Sequence, residues 1–203
     1  YLERIEGGCF SYCTALTSIS LPKSVTYIGN DAFKSCTALT KVEIEDLKAW
    51  FDIEFEYGNE SNPTYHSRNL FLNGSAVTTL TVPEGVTTID ANDFSYLDNL
   101  KSLKVHDKVT GVFESWLIRH PSIESVEIGN GITEISREAF SGAAKLSNVA
   151  IGSGVKSIGY RAFRGCSSLQ SITLPSSVTE LSSYCFAECT SLQSATLSDN
   201  ITI

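Results

Sequence analysis

Ala162-Phe163-Arg164-Gly165-Cys166-Ser167-Ser168-Leu169-Gln170-Ser171-Ile172-Thr173-Leu174-Pro175-Ser176-Ser177-Val178 is the unit from which nearly all of this chain is built. Its frame of Phe, Cys, Leu-x-x-Ile-x-Leu, Pro and Val recurs at a fixed step, so that Phe140, Phe163 and Phe186 stand 23 residues apart. A segment of that length cannot bury its own apolar face. Neighbouring copies must stack on it, and the chain is read as a stack of equivalent coils.

Within each copy, Leu169-x-x-Ile172-x-Leu174 alternates apolar and polar residues, the period of a short half-buried strand. The preceding Val155-x-x-Ile158 and Ala162-Phe163-x-x-Cys166 read as an extended piece followed by a tight helical turn that carries Phe inward. Two interior columns follow. One is Phe10, Phe33, Phe94, Leu117, Phe140, Phe163 and Phe186; the other is Ile19, Val42, Leu80, Leu103, Val126, Val149, Ile172 and Ala195. Parallel strands sit about 4.8 Å apart, whereas bulkier helical turns need more room. The expected fold is therefore an α/β-type, right-handed, curved solenoid with parallel strands on its concave face and short helical turns and extended segments opposite. The fifth repeat is the most degenerate, with Val109, Val112, Trp116-Leu117, His120 and Ile123 on the frame, and Trp116 is expected to displace its turn outward.

From Phe33 to Phe94 the step is 61 residues, and residues 45–76 form an irregular insertion. Glu45 to Phe51 reads as a short helix and Asp52 to Tyr57 as a strand. Asn62-Pro63 marks a turn, and Asn73-Gly74 between Leu70-Phe71-Leu72 and Ser75-Ala76-Val77 marks a hairpin. Otherwise residues 1–203 read as a single solenoid of about eight repeats. Leu2 and Ile201 fall at the same repeat phase, no Met is present, and no polar terminal cap closes either end. The expectation is a piece, cut mid-repeat at both ends, of a longer repeat protein.

Composition excludes several classes of function. A net charge of −8 and a pI near 4.9 speak against nucleic acid as a partner, because phosphate recognition needs clustered Lys and Arg. No apolar run approaches the roughly 20 residues that cross a bilayer, so membrane insertion of this segment is not expected.

The quoted residues resemble the Treponema-type or BspA-like class of leucine-rich repeats, with pattern Leu-x-x-Ile-x-Leu-Pro-x-x-Val-x-x-Ile-Gly-x-x-Ala-Phe-x-x-Cys. Leu169, Ile172, Leu174, Pro175, Val178, Ala139-Phe140, Ile158-Gly159 and Cys166 match it position by position, and the resemblance covers essentially the whole chain. Ser177 stands where better-known leucine-rich repeats carry their Asn ladder. The resemblance implies a secreted or surface-anchored protein of host-associated bacteria or some protists, extracellular or at the cell surface, with a role in adhesion.

No enzyme signature accompanies the repeat. His66, His106 and His120 lie apart from any nucleophile elbow or paired metal ligands, and no Gly-rich phosphate loop appears. No cofactor or metal is expected. Asp52, Glu54 and Glu56 alternate as a solvated strand face does, without calcium-loop spacing. Cys13, Cys36, Cys166 and Cys189 share one repeat position, filled elsewhere by Leu97, His120 and Ala143, so a small or apolar filler is what the slot wants. Buried free thiols are expected, and disulfides Cys13–Cys36 and Cys166–Cys189 are the alternative.

Recognition is expected on the concave face and at the insertion. The outward strand positions are small hydroxyls with a few charges, among them Lys41, Glu43, Lys104 and Glu127, and no aromatics. The insertion carries Trp50, Phe51, Phe55, Tyr57, Tyr65 and Phe71, most of which should pack, with Trp50, Tyr57 and Tyr65 as candidate contacts. The reading is a non-catalytic adhesion or protein-binding module whose partner is a protein or glycan on host or neighbouring cells. A spacer without a ligand and a carbohydrate-binding module are the alternatives.

Overall fold

A 23-residue step puts equivalent residues side by side, and the computed structural model carries this out strand by strand. It describes all residues except 57, 58, 91–93, 114–120, 198, 202 and 203. The chain forms two compact units, Tyr1–Val77 with Asn92–Asn99, and Thr78–Ala91 with Leu100–Ile203.

In the first unit, β2 (Ser18–Leu21) and β4 (Lys41–Ile44) pair in parallel with Ile19 beside Val42. A second parallel sheet joins β1 (Arg4–Ile5), β3 (Tyr27–Ile28) and β5 (Glu54–Phe55). Residues 45–76 continue this stack as a wider coil. From β4 the chain enters helix α1 (Leu47–Phe51), whose N-cap Asp46 accepts the Ala49 N–H at 2.9 Å. It then adds β5 beside β3, passes a 3₁₀ turn (Asn59–Ser61) and helix α2 (Thr64–Ser67), and lays β6 (Leu70–Leu72) parallel to β4. Leu70 is thus a buried rung beside Val42. The Asn73-Gly74 turn closes the expected hairpin onto β7 (Ser75–Ala76). Polar groups hold the widened coil where apolar ones hold the regular coils: buried Asn62 accepts from the Thr64 N–H and hydroxyl at 2.9 and 2.6 Å, and Ser61 donates to the Glu56 carbonyl at 2.9 Å.

In the second unit, β8 (Thr79–Thr81), β9 (Ser102–Lys104), β11 (Ser125–Ile128) and β13 (Asn148–Ile151) form one parallel sheet. Another contains β10 (Gly111–Phe113), β12 (Ile132–Ile135), β14 (Ser157–Ile158) and β16 (Glu180–Leu181), and β15 (Ser171–Thr173) pairs with β17 (Ser194–Thr196). Leu80, Leu103, Val126 and Ile172 are buried as the 23-residue column requires, whereas Val149 is half-buried and Ala195, expected inward, is exposed.

The segments opposite the strands correct the expectation of helical turns. In the coils of Phe10, Phe33, Phe140, Phe163 and Phe186 each is a run of reverse turns, Asp31 to Lys34 then Phe33 to Cys36 in the second of them, broken by left-handed residues such as Asp31 (φ 56°), Ser35 (φ 58°), Arg161 (φ 56°) and Gly165 (φ 74°). Left-handed residues stop helix propagation. They leave amides free to bond across coils: Phe140 N–H donates to the Ala162 carbonyl and Gly142 N–H to that of Arg164, both at 2.7 Å. The Phe rings stack at the same pitch. Phe10–Phe33 in the first unit stand 5.3 Å apart, and Phe113–Phe140, Phe140–Phe163 and Phe163–Phe186 in the second 5.2, 5.0 and 5.3 Å.

Phe113 was not expected in that column. Leu117, placed there from its spacing, lies outside the described residues, as do Trp116 and His120. Val112, expected inward, is 36% exposed, and fully buried Phe113 pairs with Ile135 in its place. The cause is one additional residue between Val109 and Phe113 relative to Ile132 and Ile135, absorbed at Gly111 with φ 117°.

At one corner of the second unit the coils meet backbone to backbone. Asp107 accepts the Asn130 N–H at 2.9 Å, and Asn130 in turn accepts the Ser153 N–H at 2.7 Å and hydroxyl at 3.0 Å. A Cβ on the next residue, Gly154, would overlap the Asn130 carbonyl oxygen. Gly154→Ala is expected to cost about 1–3 kcal/mol in urea unfolding. Ser177→Ala, at the same repeat phase, is expected to change stability by less than about 0.5 kcal/mol.

Candidate functional site

Side chains at alternate strand positions point away from the buried columns, so each unit presents its own outward strand face. In the second unit these residues surround a hollow of about 240 Å³ lined by Thr79, Thr81, Ser102, Lys104, Ser125, Glu127 and Asn148. Lys104 on β9 and Glu127 on β11 sit opposite each other in register and pair at 2.8 Å, with side chains 50% and 52% exposed. Ser125 donates to Ser102 at 2.9 Å. An ion pair this exposed is held by about 0–1 kcal/mol, so both charges can exchange partners at little cost.

The face of the first unit is different. Lys41 and Glu43 pair at 2.6 Å, and the Lys41 ammonium lies 5.0 Å from the centre of the Phe71 ring. Glu43 also accepts the Gly74 N–H of the hairpin tip at 2.5 Å. The Lys41 ammonium, with that N–H, holds the Glu43 carboxyl below its ordinary range. Phe71 puts an aromatic ring on a face expected to have none, because β6 supplies a strand that the 23-residue step does not count.

The insertion's aromatics divide. Trp50, a candidate contact in the sequence, is 1% exposed and packs edge-on against Phe55 at 5.5 Å, so it is a core residue. Tyr65 is half-buried between His66 and Tyr96, edge-on at 5.1 and 5.3 Å. Tyr57 lies outside the described residues. Several nearby carboxylates have internal partners. Asp52 pairs with Lys48, and Glu60 accepts the Ser35 N–H and lies 3.2 Å from His66. Glu56 accepts the Asn30 N–H and the Tyr27 hydroxyl, both at 2.8 Å, and these bonds hold its carboxyl below the ordinary range. Among the described residues, no three metal-ligating side chains gather. His106, on the second unit, bonds the Pro83 carbonyl at 3.1 Å and the Lys108 N–H at 3.2 Å.

Sequence reasoning missed a ridge on the turn side of the second unit. Arg137 and Arg161 lie 5.0 and 4.7 Å from the Tyr160 ring, Arg161 lies 5.8 Å from the Tyr184 ring, and Tyr184 is 64% exposed. Its signal was present: Arg161 and Tyr184 both precede the small residue before Phe, 23 residues apart.

The family described as BspA type leucine-rich repeat region matches residues 1–116, 64–143 and 117–203, in six copies. No curated protein matches significantly. Among solved structures, the chain is similar to a leucine-rich repeat protein from Bacteroides ovatus ATCC 8483, at 21% identity and a TM-score of 0.60 over 98% of this chain and 56% of that one. It is similar to a leucine rich cell surface protein from Faecalibacterium prausnitzii A2-165, at 25% identity and a TM-score of 0.55 over 96% and 57%. The pneumococcal vaccine antigen PcpA is similar at 19% identity and a TM-score of 0.60 over 100% and 62%. The chain thus spans 56 to 62% of the length of these structures.

Proposed function

This chain belongs to the BspA-type leucine-rich repeat family, and on that basis we propose that it is a non-catalytic adhesion module, displayed at a cell surface, that binds protein on host or neighbouring cells. The observation that carries this reading is the hollow over β8, β9, β11 and β13, where hydroxyls, an amide and one exchangeable ion pair converge on space large enough for a few side chains of a partner. Such a surface lacks the aromatic anchors of tight interfaces, so each contact is weak and adhesion gains from many copies acting together. Its similarity to a protein named as a leucine rich cell surface protein supports the location. The carbohydrate alternative loses support, because the indole of Trp50, the ring it most needs, is buried.

The test is saturable binding of purified protein to fixed epithelial cells, with and without prior proteolysis of the cell surface. Binding is expected to be saturable, protease-sensitive and weakened about tenfold or more by Lys104→Ala with Glu127→Ala, with unchanged thermal unfolding. Equal binding by the double variant would move the site off this face. Absence of saturable binding would favour a spacer.

A further inference from the structure

The cysteine slot does more than fill space. In the first unit the Phe10 carbonyl oxygen accepts both the Cys13 N–H and the Cys36 thiol, each at 3.1 Å. In the second unit the Phe163 carbonyl accepts the Cys166 N–H at 3.2 Å and the Cys189 thiol at 3.1 Å. One oxygen thus gathers the backbone of one cysteine and the sulfur of the next. The coils involved are 5.3 Å apart at their Phe rings in both places. Parallel coils stacked in register set equivalent Cα atoms about 4.8 Å apart, within the roughly 4.4–6.8 Å that a disulfide spans.

Each pair joins one buried thiol to one reachable thiol: Cys36 with exposed Cys13, and Cys166 with part-exposed Cys189. The remaining cysteines have no such neighbour, since Ala32 stands 23 residues after Cys9 and Ala162 stands 23 before Cys185.

We propose that Cys13–Cys36 and Cys166–Cys189 are sites of reversible oxidation that close to coil-to-coil disulfides on meeting a small disulfide oxidant. The reachable thiol loses its proton and attacks one sulfur of the oxidant, forming a mixed disulfide and releasing one small thiolate, which takes up that proton. The buried thiol then loses its proton and attacks the protein sulfur of the mixed disulfide. The protein S–S bond forms as the second small thiol leaves with that proton, so two protein thiols are oxidised and one small disulfide is reduced. In the second pair the Cys166 S–H bonds the Phe140 carbonyl at 3.3 Å. The neighbouring Cys166 thiol holds Cys189 below its ordinary range, while Cys189 and burial push Cys166 up. In-register side chains point the same way, so the sulfurs must be drawn together, and a bond made under such strain is readily reduced.

The test is incubation of the intact protein with glutathione disulfide, then mass measurement and peptide mapping without reduction. The expected product lacks the four thiol hydrogens, carries links Cys13–Cys36 and Cys166–Cys189, and reverts with dithiothreitol; a glutathione adduct is expected only at Cys9. Cys166→Ser is expected to trap glutathione on Cys189. Persistent adducts on Cys13 and Cys189 of the unaltered protein, links Cys9–Cys13 or Cys185–Cys189, or six unreacted thiols would each overturn the proposal. The unaltered protein alone decides this, whether or not the variant folds.

Discussion

Phe163→Ala is expected to destabilise the second unit by about 3–5 kcal/mol, read from the midpoint and slope of a urea titration. Phe163 is fully buried, and its ring has a stacked neighbour on each side, Phe140 at 5.0 Å and Phe186 at 5.3 Å. Truncation leaves a cavity between two coils that backbone hydrogen bonds hold at fixed pitch. Phe163 N–H donates to the Cys185 carbonyl and Phe140 N–H to that of Ala162, at 2.8 and 2.7 Å, so the coils cannot collapse into the gap. The half-buried Phe186 provides the comparison: its truncation is expected to cost clearly less. A loss at Phe163 of well under 1 kcal/mol would mean that the aromatic column does not hold the coils together.

The parts of this fold legible in the sequence are those governed by the 23-residue step. Ser18 opposite Lys41, Ser102 opposite Ser125 and Ser171 opposite Ser194 are all pairs read directly from spacing. Spacing failed where one residue was added. Val112 keeps the arithmetic phase, but the slip at Gly111 turns Phe113 inward, and counting at a constant step cannot register a slip. It also misjudged the turns. Ala-Phe-x-x-Cys has the i to i+3 apolar spacing of a helix, but in the coils of Phe33, Phe163 and Phe186 the left-handed region holds the residue before the small one, as at Asp31 and Arg161, or the second after Phe, as at Glu188. Nothing in the propensities of those residues announces this. Neighbouring coils impose it by offering carbonyls to the amides that the kink releases.

The candidate site was legible in position and less so in character. Lys104 and Glu127 stand where alternation places them, while Phe71 reaches the strand face of its unit only because the insertion lays β6 beside β4. The Arg137, Tyr160, Arg161 and Tyr184 ridge was hidden because those positions vary from copy to copy. The repeat fixes their backbone and leaves their side chains free to carry specificity. Arg and Tyr are the residues that most often dominate interface energies, so this ridge is the second surface at which contacts should be sought.

Trp50→Ala is expected to cost about 3–5 kcal/mol as well, and to act on folding before it acts on any ligand. Trp50 projects from a helix of five residues, too short to persist in water without packing. Its indole, 1% exposed and set edge-on to Phe55, ties α1 to β5, and β5 carries the wide coil back to β3. Removing the ring frees α1 and leaves β5 only the edge bonds of a two-residue strand. The expected signature is faster proteolysis within residues 45–70 together with a lower unfolding midpoint, both largely restored by Trp50→Phe. Loss of binding in the alanine variant would therefore say nothing about recognition until the phenylalanine variant had been compared. Full stability of Trp50→Ala, with residues 45–70 still protected from protease, would instead show that the polar closure at Asn62 and Thr64 holds the coil on its own.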